Sequence, residues 1–297
     1  MTNWNDFPPE VKEMVAAKMD IVTRTRLKMC SKSDKKLVES MPVRYKEVEY
    51  YGGEYSYKYL APNIYFHVDD LKINKERGYL RVMRPGVHTN TTHLYYKDDK
   101  ERYEMFHKFI NNIIFKGKVE IDELKISAPY PQFQFASSSI KVKKLTIANY
   151  SDNWFSHIAP NINKVKVVKF DLHEILGYRQ VLNAKYLEVE DCKIATVRLK
   201  ATNINFEANN NIQEWAVRKL IKKWIDSNYP VGSSFQTHLF PSATTKFDIT
   251  LLKLVHGFEN VRKCSIGFYI RMSRGKYMTF KLEDSKIYVD ITNNDPS

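Results

Sequence analysis

Apolar residues recur at helical spacing through the first 42 positions of the chain and at strand spacing over much of the remainder. Val11, Met14, Val15 and Met19 fall on one helix face, with Lys12, Glu13 and Lys18 on the other. Pro8 and Pro9 suit the first helical positions, where a missing N–H removes no hydrogen bond, and Asp6 is available as a cap with Glu10 in the first turn. A second apolar set, Ile21, Val22, Leu27 and Cys30, brackets Thr23-Arg24-Thr25-Arg26. A third, Leu37, Val38 and Met41, follows Ser33-Asp34, which reads as another cap. The pattern predicts three short helices within residues 1–42, with the first apolar stripe buried. A unit of this size has a marginal core of its own, so a partner surface is expected to complete it.

From Val43 the period changes. Arg44 to Tyr51 and Asn63 to Val68 alternate β-branched and aromatic residues with polar ones, and Gly52-Gly53 reads as the turn between two strands. Asp98-Asp99-Lys100-Glu101 opens a predicted helix with Tyr103, Phe106, Ile110, Ile113 and Ile114 on one face, closed by Gly117. An apolar-any-apolar motif then recurs: Leu124-Lys125-Ile126, Leu145-Thr146-Ile147, Val168-Lys169-Phe170, Leu187-Glu188-Val189, Val197-Arg198-Leu199 and Ile204-Asn205-Phe206. The first four lie 21, 23 and 19 residues apart, a period typical of leucine-rich-repeat-like units that each donate one short strand. A plain mixed sheet would produce the same alternation, and the favoured expectation is an irregular, curved, repeat-like sheet. Residues 209–228 predict a basic amphipathic helix, with Ile212, Val217, Leu220, Ile221 and Trp224 as the stripe, beside Arg218, Lys219, Lys222 and Lys223. Trp215 and Trp224 are read as core contacts. The tail reads as a strand meander: Phe247–Leu254, Ser265–Met272, Tyr277–Leu282 and Ile287–Ile291, with Arg274-Gly275 as a hairpin turn. The expected fold class is α+β, a small N-terminal three-helix module (1–42) followed by an irregular leucine-rich-repeat-like sheet with packed helices (43–297).

The N-terminal residues resemble the F-box, by which substrate receptors of cullin-based ubiquitin ligases attach to a Skp-family adaptor. The similarity rests on Phe7-Pro8-x-Glu10-Val11, then Met14, Met19 and Leu27, and above all on Arg26-Leu27-Lys28-Met29-Cys30-Ser31-Lys32-Ser33 with Leu37-Val38. The last block is similar to that of F-box families expanded in nematodes, although Phe7 stands where most F-boxes carry Leu. The resemblance implies that Phe7, Pro8, Val11, Met14, Met19, Leu27 and Cys30 contribute to the adaptor groove. Two further blocks, Leu220-Ile221-Lys222-Lys223-Trp224-Ile225 and Ile270 to Phe280, resemble the helix and the hairpin of the F-box-associated (FTH-like) domain of the same families. There Ser273-Arg274-Gly275 replaces the usual acidic residue before Gly. That likeness implies a substrate-binding module in residues 43–297.

Composition adds limits. The chain has 297 residues, 43% hydrophobic, enough for a substantial core, and no run long and apolar enough to span a membrane, so a cytoplasmic or nuclear location is expected. Cys30, Cys192 and Cys264 form no CxxC pair and are read as buried thiols, with neither a disulfide framework nor a zinc knuckle expected. The eight histidines include no HExxH, and no glycine-rich phosphate loop or GxSxG elbow occurs. Neither a cofactor nor a metal is expected, and the chain is read as a non-catalytic component. The net charge of +13 raises nucleic acid as a partner. The cations are spread rather than grouped, however, and residues 1–42 carry only 8 Lys/Arg against 6 Asp/Glu, so a lysine-coated surface is favoured. The expected function is that of the substrate-recognition subunit of a Skp-cullin-F-box ubiquitin ligase. In that role the chain binds a Skp-family adaptor and, through it, a cullin, and it binds a protein substrate through the C-terminal domain. The alternative is a basic nucleic-acid or chromatin binding protein without ligase duty.

Overall fold

Three helices open the chain: α1 (Pro9–Lys18), α2 (Ile21–Cys30) and α3 (Lys32–Ser40), preceded by a 3-10 turn at Trp4–Asp6. The computed structural model describes residues 4–19, 21–52, 64–69, 71–76, 79–83, 91–95, 101, 108, 110–111, 117–127, 140–148, 152–168, 177–190, 201–206, 214–238, 247–265, 267–283 and 286–296. Two compact units emerge, one of residues 1–143 and 150–159, the other of residues 144–149 and 160–297. Among the described residues no helix is long and apolar enough to cross a membrane.

In the first unit α3 runs into strand β1 (Val43–Gly52), and β2 (Ile64–Val68), β3 (Leu71–Glu76), β4 (Tyr79–Met83) and β5 (Thr91–Tyr95) follow as an antiparallel succession. On its other side β1 pairs in parallel with β6 (Val119–Ser127), Val48 beside Leu124 and Tyr50 beside Ile126, all four buried. Strand β7 (Ile140–Ala148) starts in this unit, where helix α4 (Asp152–His157) also lies. The outer faces of β1 and β6 carry paired charges: Arg44 with Glu120 at 3.0 Å, and Lys125 with Glu47. That alternation of buried apolar and paired polar residues is what the sequence predicted for these strands. Strand β1 continues through Gly52, while Gly53 lies outside the described residues. Glu101 and Lys108 take helical backbone, Ile110 is fully buried and Gly117 has a positive φ of 84°, in keeping with the predicted helix; Tyr103, Phe106, Ile113 and Ile114 lie outside the described residues.

In the second unit the end of β7 pairs in parallel with β8 (Lys164–Val168), which pairs with β9 (Tyr186–Glu190), then β10 (Asn203–Phe206), then β11 (Ser234–His238). Leu145, Val165, Leu187, Ile204 and Phe235 stand in register across these five strands, all buried. On the opposite face Lys164, Tyr186, Asn203 and Ser234 form a polar row, and Lys166, Glu188, Asn205 and Gln236 another. The recurring motif thus marks real parallel strands. At its third position the strand precedes the residues expected, centring on Val165-Lys166-Val167, with Lys169 and Phe170 outside the described residues, as is Val197-Arg198-Leu199.

The short helix α5 (Arg179–Leu182) precedes β9, and α6 (Glu214–Asp226) precedes β11. Helix α6 buries Val217, Leu220, Ile221 and Trp224 as predicted, and Trp224 stacks on Tyr229 at 4.9 Å and meets Phe235 edge-on at 5.3 Å. Trp215 departs from expectation. It is 41% exposed, with the Lys219 ammonium over its ring at 4.8 Å, because it points away from the stripe that Trp224 shares.

The tail also corrects the reading of sequence. Phe247–Val255 is a helix, α7, not a strand: among its described side chains Leu251, Leu254 and Val255 are buried, and their i, i+3, i+4 spacing has the helical period. The strand expected over Ser265–Met272 is present as β13 (Gly267–Arg271), and it pairs with a preceding strand that was not expected, β12 (Val261–Cys264). Gly267, at φ 149°, lies so close to β14 (Tyr277–Glu283) that an added Cβ would sit 2.1 Å from the Phe280 carbonyl oxygen, which explains why glycine holds the position. The Ser273–Gly275 turn takes positive φ at both Arg274 (61°) and Gly275 (69°), and β14 pairs with β15 (Lys286–Thr292). Strand β15 returns antiparallel to β11, setting Asp290 beside Ser234 and Tyr288 beside Gln236.

Candidate functional site

Two polar devices tie the N-terminal module together. Among its described residues the buried apolar side chains are Ala16 and Val38. Helix α1 begins at Pro9 with Pro8 as its cap, and no side chain caps it; Asp6 lies in the 3-10 turn rather than serving the role expected of it. Proline at the first position leaves one fewer orphan donor there. Helix α3 begins earlier than Ser33-Asp34 implied. Ser31 is its cap, accepting from the Asp34 N–H at 3.0 Å, while the Ser31 hydroxyl donates to Asp34 Oδ2 at 2.7 Å. The reciprocal arrangement resembles a capping box closed by Asp.

Asp34 is 5% exposed and makes a third bond to a second partner, the Trp4 indole, whose Nε1–H donates to Oδ1 at 2.8 Å. These bonds from Trp4 and Ser31, with Lys12 nearby, hold the Asp34 carboxyl below the usual carboxylate range. Lys12 also lies over the Trp4 ring at 5.9 Å and donates to the Asn5 carbonyl at 3.2 Å. Trp4 meets Phe7 edge-on at 6.3 Å. The 3-10 turn is thereby fixed to the start of α3, and Phe7 is oriented by it.

The second device is Arg24, 6% exposed. Its guanidinium donates to the Ala16 carbonyl at 2.9 Å, the Ala17 carbonyl at 2.9 Å and the Pro42 carbonyl at 3.1 Å. The first two are carbonyls at the C-terminal end of α1, where helix oxygens lack intrahelical donors; the third lies at the exit from α3. One planar fork thus joins the three helices and the entry to β1. Burial pulls the Arg24 pKa down from its ordinary value, far from enough to discharge a guanidinium.

Among the side chains this scaffold leaves outward are several apolar ones. Of the seven residues expected in the adaptor groove, Phe7, Val11, Met19 and Leu27 are half-buried, and Pro8, Met14 and Cys30 are exposed, Met14 by 65%. Among the described residues, the stripe on α1 is thus only partly covered: Val11 and Met19 are half-buried, Met14 and Val15 exposed. Val15 and Met29 are exposed as well, Met29 by 82%. Cys30 is no buried thiol: its Sγ–H donates to the Arg26 carbonyl at 3.4 Å on an exposed surface, whereas Cys264 is half-buried and Cys192 lies outside the described residues. The side chains of Ile21 and Val22 also lie outside them. Ring packing brings Phe7 to Trp4, and the other six are spread over α1 with its cap, α2 and the connection between them.

Sequence reasoning passed over Trp4, Arg24 and Met29. Arg24 sat in a polar stretch between apolar sets, and only its burial reveals it. Met29 lay inside the recognised block without being assigned to the groove, and Trp4 preceded the first periodic residue. A tryptophan three residues before a Phe-Pro helix start was the one signal available.

Neither curated proteins nor solved structures yield a match to the chain. A match is found at the N-terminus, over the three helices, the Trp4 turn that braces them and the first residues of β1: residues 4–46 are an F-box domain.

Proposed function

We propose that the chain is the substrate-recognition subunit of a Skp-cullin-F-box ubiquitin ligase, acting in the cytosol or nucleus. F-box domains in general bind a Skp-family adaptor and link it to a cullin, and the proteins that carry them are generally non-catalytic. The single observation that carries the reading is an F-box module whose polar core is satisfied internally while Pro8, Met14, Val15 and Met29 remain exposed. Exposed apolar side chains grouped on a small unit mark a protein-binding surface. Phe7, Pro8, Val11, Met14, Met19, Leu27 and Cys30 are proposed to line that contact. The region from Val43 to Ser297 is proposed to hold a protein substrate. Its buried ladder from Leu145 to Phe235 supports a leucine-rich-repeat-like reading, and α6 with the β13–β14 hairpin supports kinship with the F-box-associated domain of nematode families. The work of such a subunit is positioning: one end fixed to the adaptor, the other raising the local concentration of substrate lysines near the ubiquitin carrier.

The test is capture of a purified Skp-family adaptor by the full chain, followed by mass spectrometry of the assembly from cells for adaptor and cullin peptides. Adaptor capture that falls when Pro8→Ala and Leu27→Ala are combined is the expected result; no capture by the folded wild-type chain would overturn the proposal. The net charge of +13 sustains the nucleic-acid alternative, which requires retention on nucleic acid that falls steeply with salt.

A further inference from the structure

The polar face of β8, β9, β10, β11 and β15 bounds a cavity of about 300 Å³ within the second unit, at the small end of the range for ligand pockets. Most of its polar wall is already satisfied. Glu188 takes Lys164 at 2.7 Å and Lys166 at 2.8 Å, and Lys166 reaches Glu190 at 2.8 Å. Burial pushes the Glu188 carboxyl up, but the two lysines outweigh it and hold it below its ordinary value. The Ser234 hydroxyl donates to Asn203 Oδ1 at 3.1 Å.

At the β11–β15 end the wall is different. Asp290, Tyr288 and Gln236 are half-buried, and none of their side chains has a hydrogen bond or ion pair among the described residues. Asp290 and Tyr288 project from the same face of β15, and Gln236 stands beside Tyr288 in register. Burial pushes the Asp290 carboxyl up from its ordinary value; on the adjoining β14, Lys281, opposite Tyr288, acts against this and Glu283 with it, neither within ion-pair distance. Glu188 in the cavity wall is matched by Lys164 and Lys166, which leaves Asp290 as the lining carboxylate without an ion pair among the described residues, in a chain whose net charge is +13. A half-buried carboxylate without a donor is an incomplete arrangement, and an incoming cation completes it. An aromatic ring two residues along the same face suits the stem and head of a long basic side chain.

We propose that this cavity receives an arginine or lysine side chain carried on a segment of a protein substrate, its cationic head on Asp290 and its stem along Tyr288. The proposal rests on the reading of the chain as a substrate-recognition subunit and names the chemistry of what it recognises. The strongly positive chain repels basic peptides at long range, so any selection of one must come from a local site.

The experiment is selection from a random dodecapeptide phage library on the immobilised full chain, run in parallel on Asp290→Asn and Tyr288→Ala, with adaptor capture measured for each protein. Enriched peptides with a recurrent arginine or lysine are expected. A synthetic peptide of that consensus should bind about tenfold more weakly to Asp290→Asn, with adaptor capture unchanged in both variants. Enrichment of acidic peptides, no enrichment, or equal binding to Asp290→Asn would overturn the proposal. Melting curves for both variants identify a folding defect; should one occur, Gln236→Lys, which supplies a competing cation beside the site, must abolish the consensus binding. Loss of adaptor capture by the wild-type chain with peptide selection intact would instead sink the ligase reading and leave the basic-side-chain site standing.

Discussion

The Trp4 indole N–H donates to the Asp34 carboxylate at 2.8 Å, tying the turn before the first helix to the first turn of the third. The bond spans 30 residues, in a module whose buried apolar side chains among the described residues are Ala16 and Val38. A polar brace at the start of α3 thus takes the part that apolar packing plays in larger units.

That brace makes the module acid-sensitive. The folded Asp34 pKa lies below its unfolded value, which is about 3.9. Its stabilising contribution is therefore fully present above that pH and is lost as the pH falls through the depressed folded value. Thermal melts of wild type and Asp34→Asn, followed at the F-box by hydrogen exchange, should differ most near neutrality and converge only as the pH falls through the depressed folded value. A gap independent of pH would refute the assignment.

Arg24 offers a sharper test. Replacing it with Met keeps most of its length and apolar stem but removes the guanidinium donors from the carbonyls of Ala16, Ala17 and Pro42, of which Ala16 keeps the Met19 N–H at 3.3 Å. A charged donor is worth roughly 1.5–3 kcal/mol per bond, so Arg24→Met should destabilise the F-box by about 3 kcal/mol or more. Arg24→Lys should recover only part of that, because an ammonium cannot reproduce the planar fork. Hydrogen exchange of residues 9–46 in the full chain measures both.

The exposed methionines should behave oppositely. Met14→Ala with Met29→Ala removes side chains that are 65% and 82% exposed, so stability should move by no more than about 0.5 kcal/mol. Adaptor affinity should fall by at least about 1 kcal/mol, as for apolar anchors that become buried on binding. Unchanged affinity, measured by calorimetry, would remove these residues from the interface.

In the second unit, Trp224→Ala should cost about 3–5 kcal/mol, because the ring is fully buried between Tyr229 and Phe235. The Trp224 indole nitrogen has no hydrogen-bond partner among the described residues, so Trp224→Phe forfeits packing but no such bond and should cost distinctly less. Lys222→Ala, on an exposed position of the same helix, should change stability by less than about 0.5 kcal/mol. Urea unfolding of the full chain, with midpoints compared across the three variants, decides the ranking.

Local pattern was enough to mark the three N-terminal helices, the strands around Leu124, Leu145, Leu187 and Ile204, the buried stripe of α6 and the Arg274-Gly275 turn. Each rests on side-chain periodicity or on a backbone preference, both of which are properties of neighbouring residues. Phe247–Val255 was misread because a short apolar run has no decisive period until one knows which residues it buries; the rest of the unit selects Leu251, Leu254 and Val255. The candidate site divides in the same way. The F-box block from Arg26 to Ser33 could be recognised from adjacent residues, and with it the apolar positions Phe7 to Cys30. That Arg24 would be buried as a fork on three carbonyls, that Trp4 would reach Asp34, and that Asp290 would stand without a donor beside Ser234 were decided by tertiary structure alone. A hydrogen bond or an unmatched charge depends on residues brought together from distant parts of the chain, and no local period encodes that meeting.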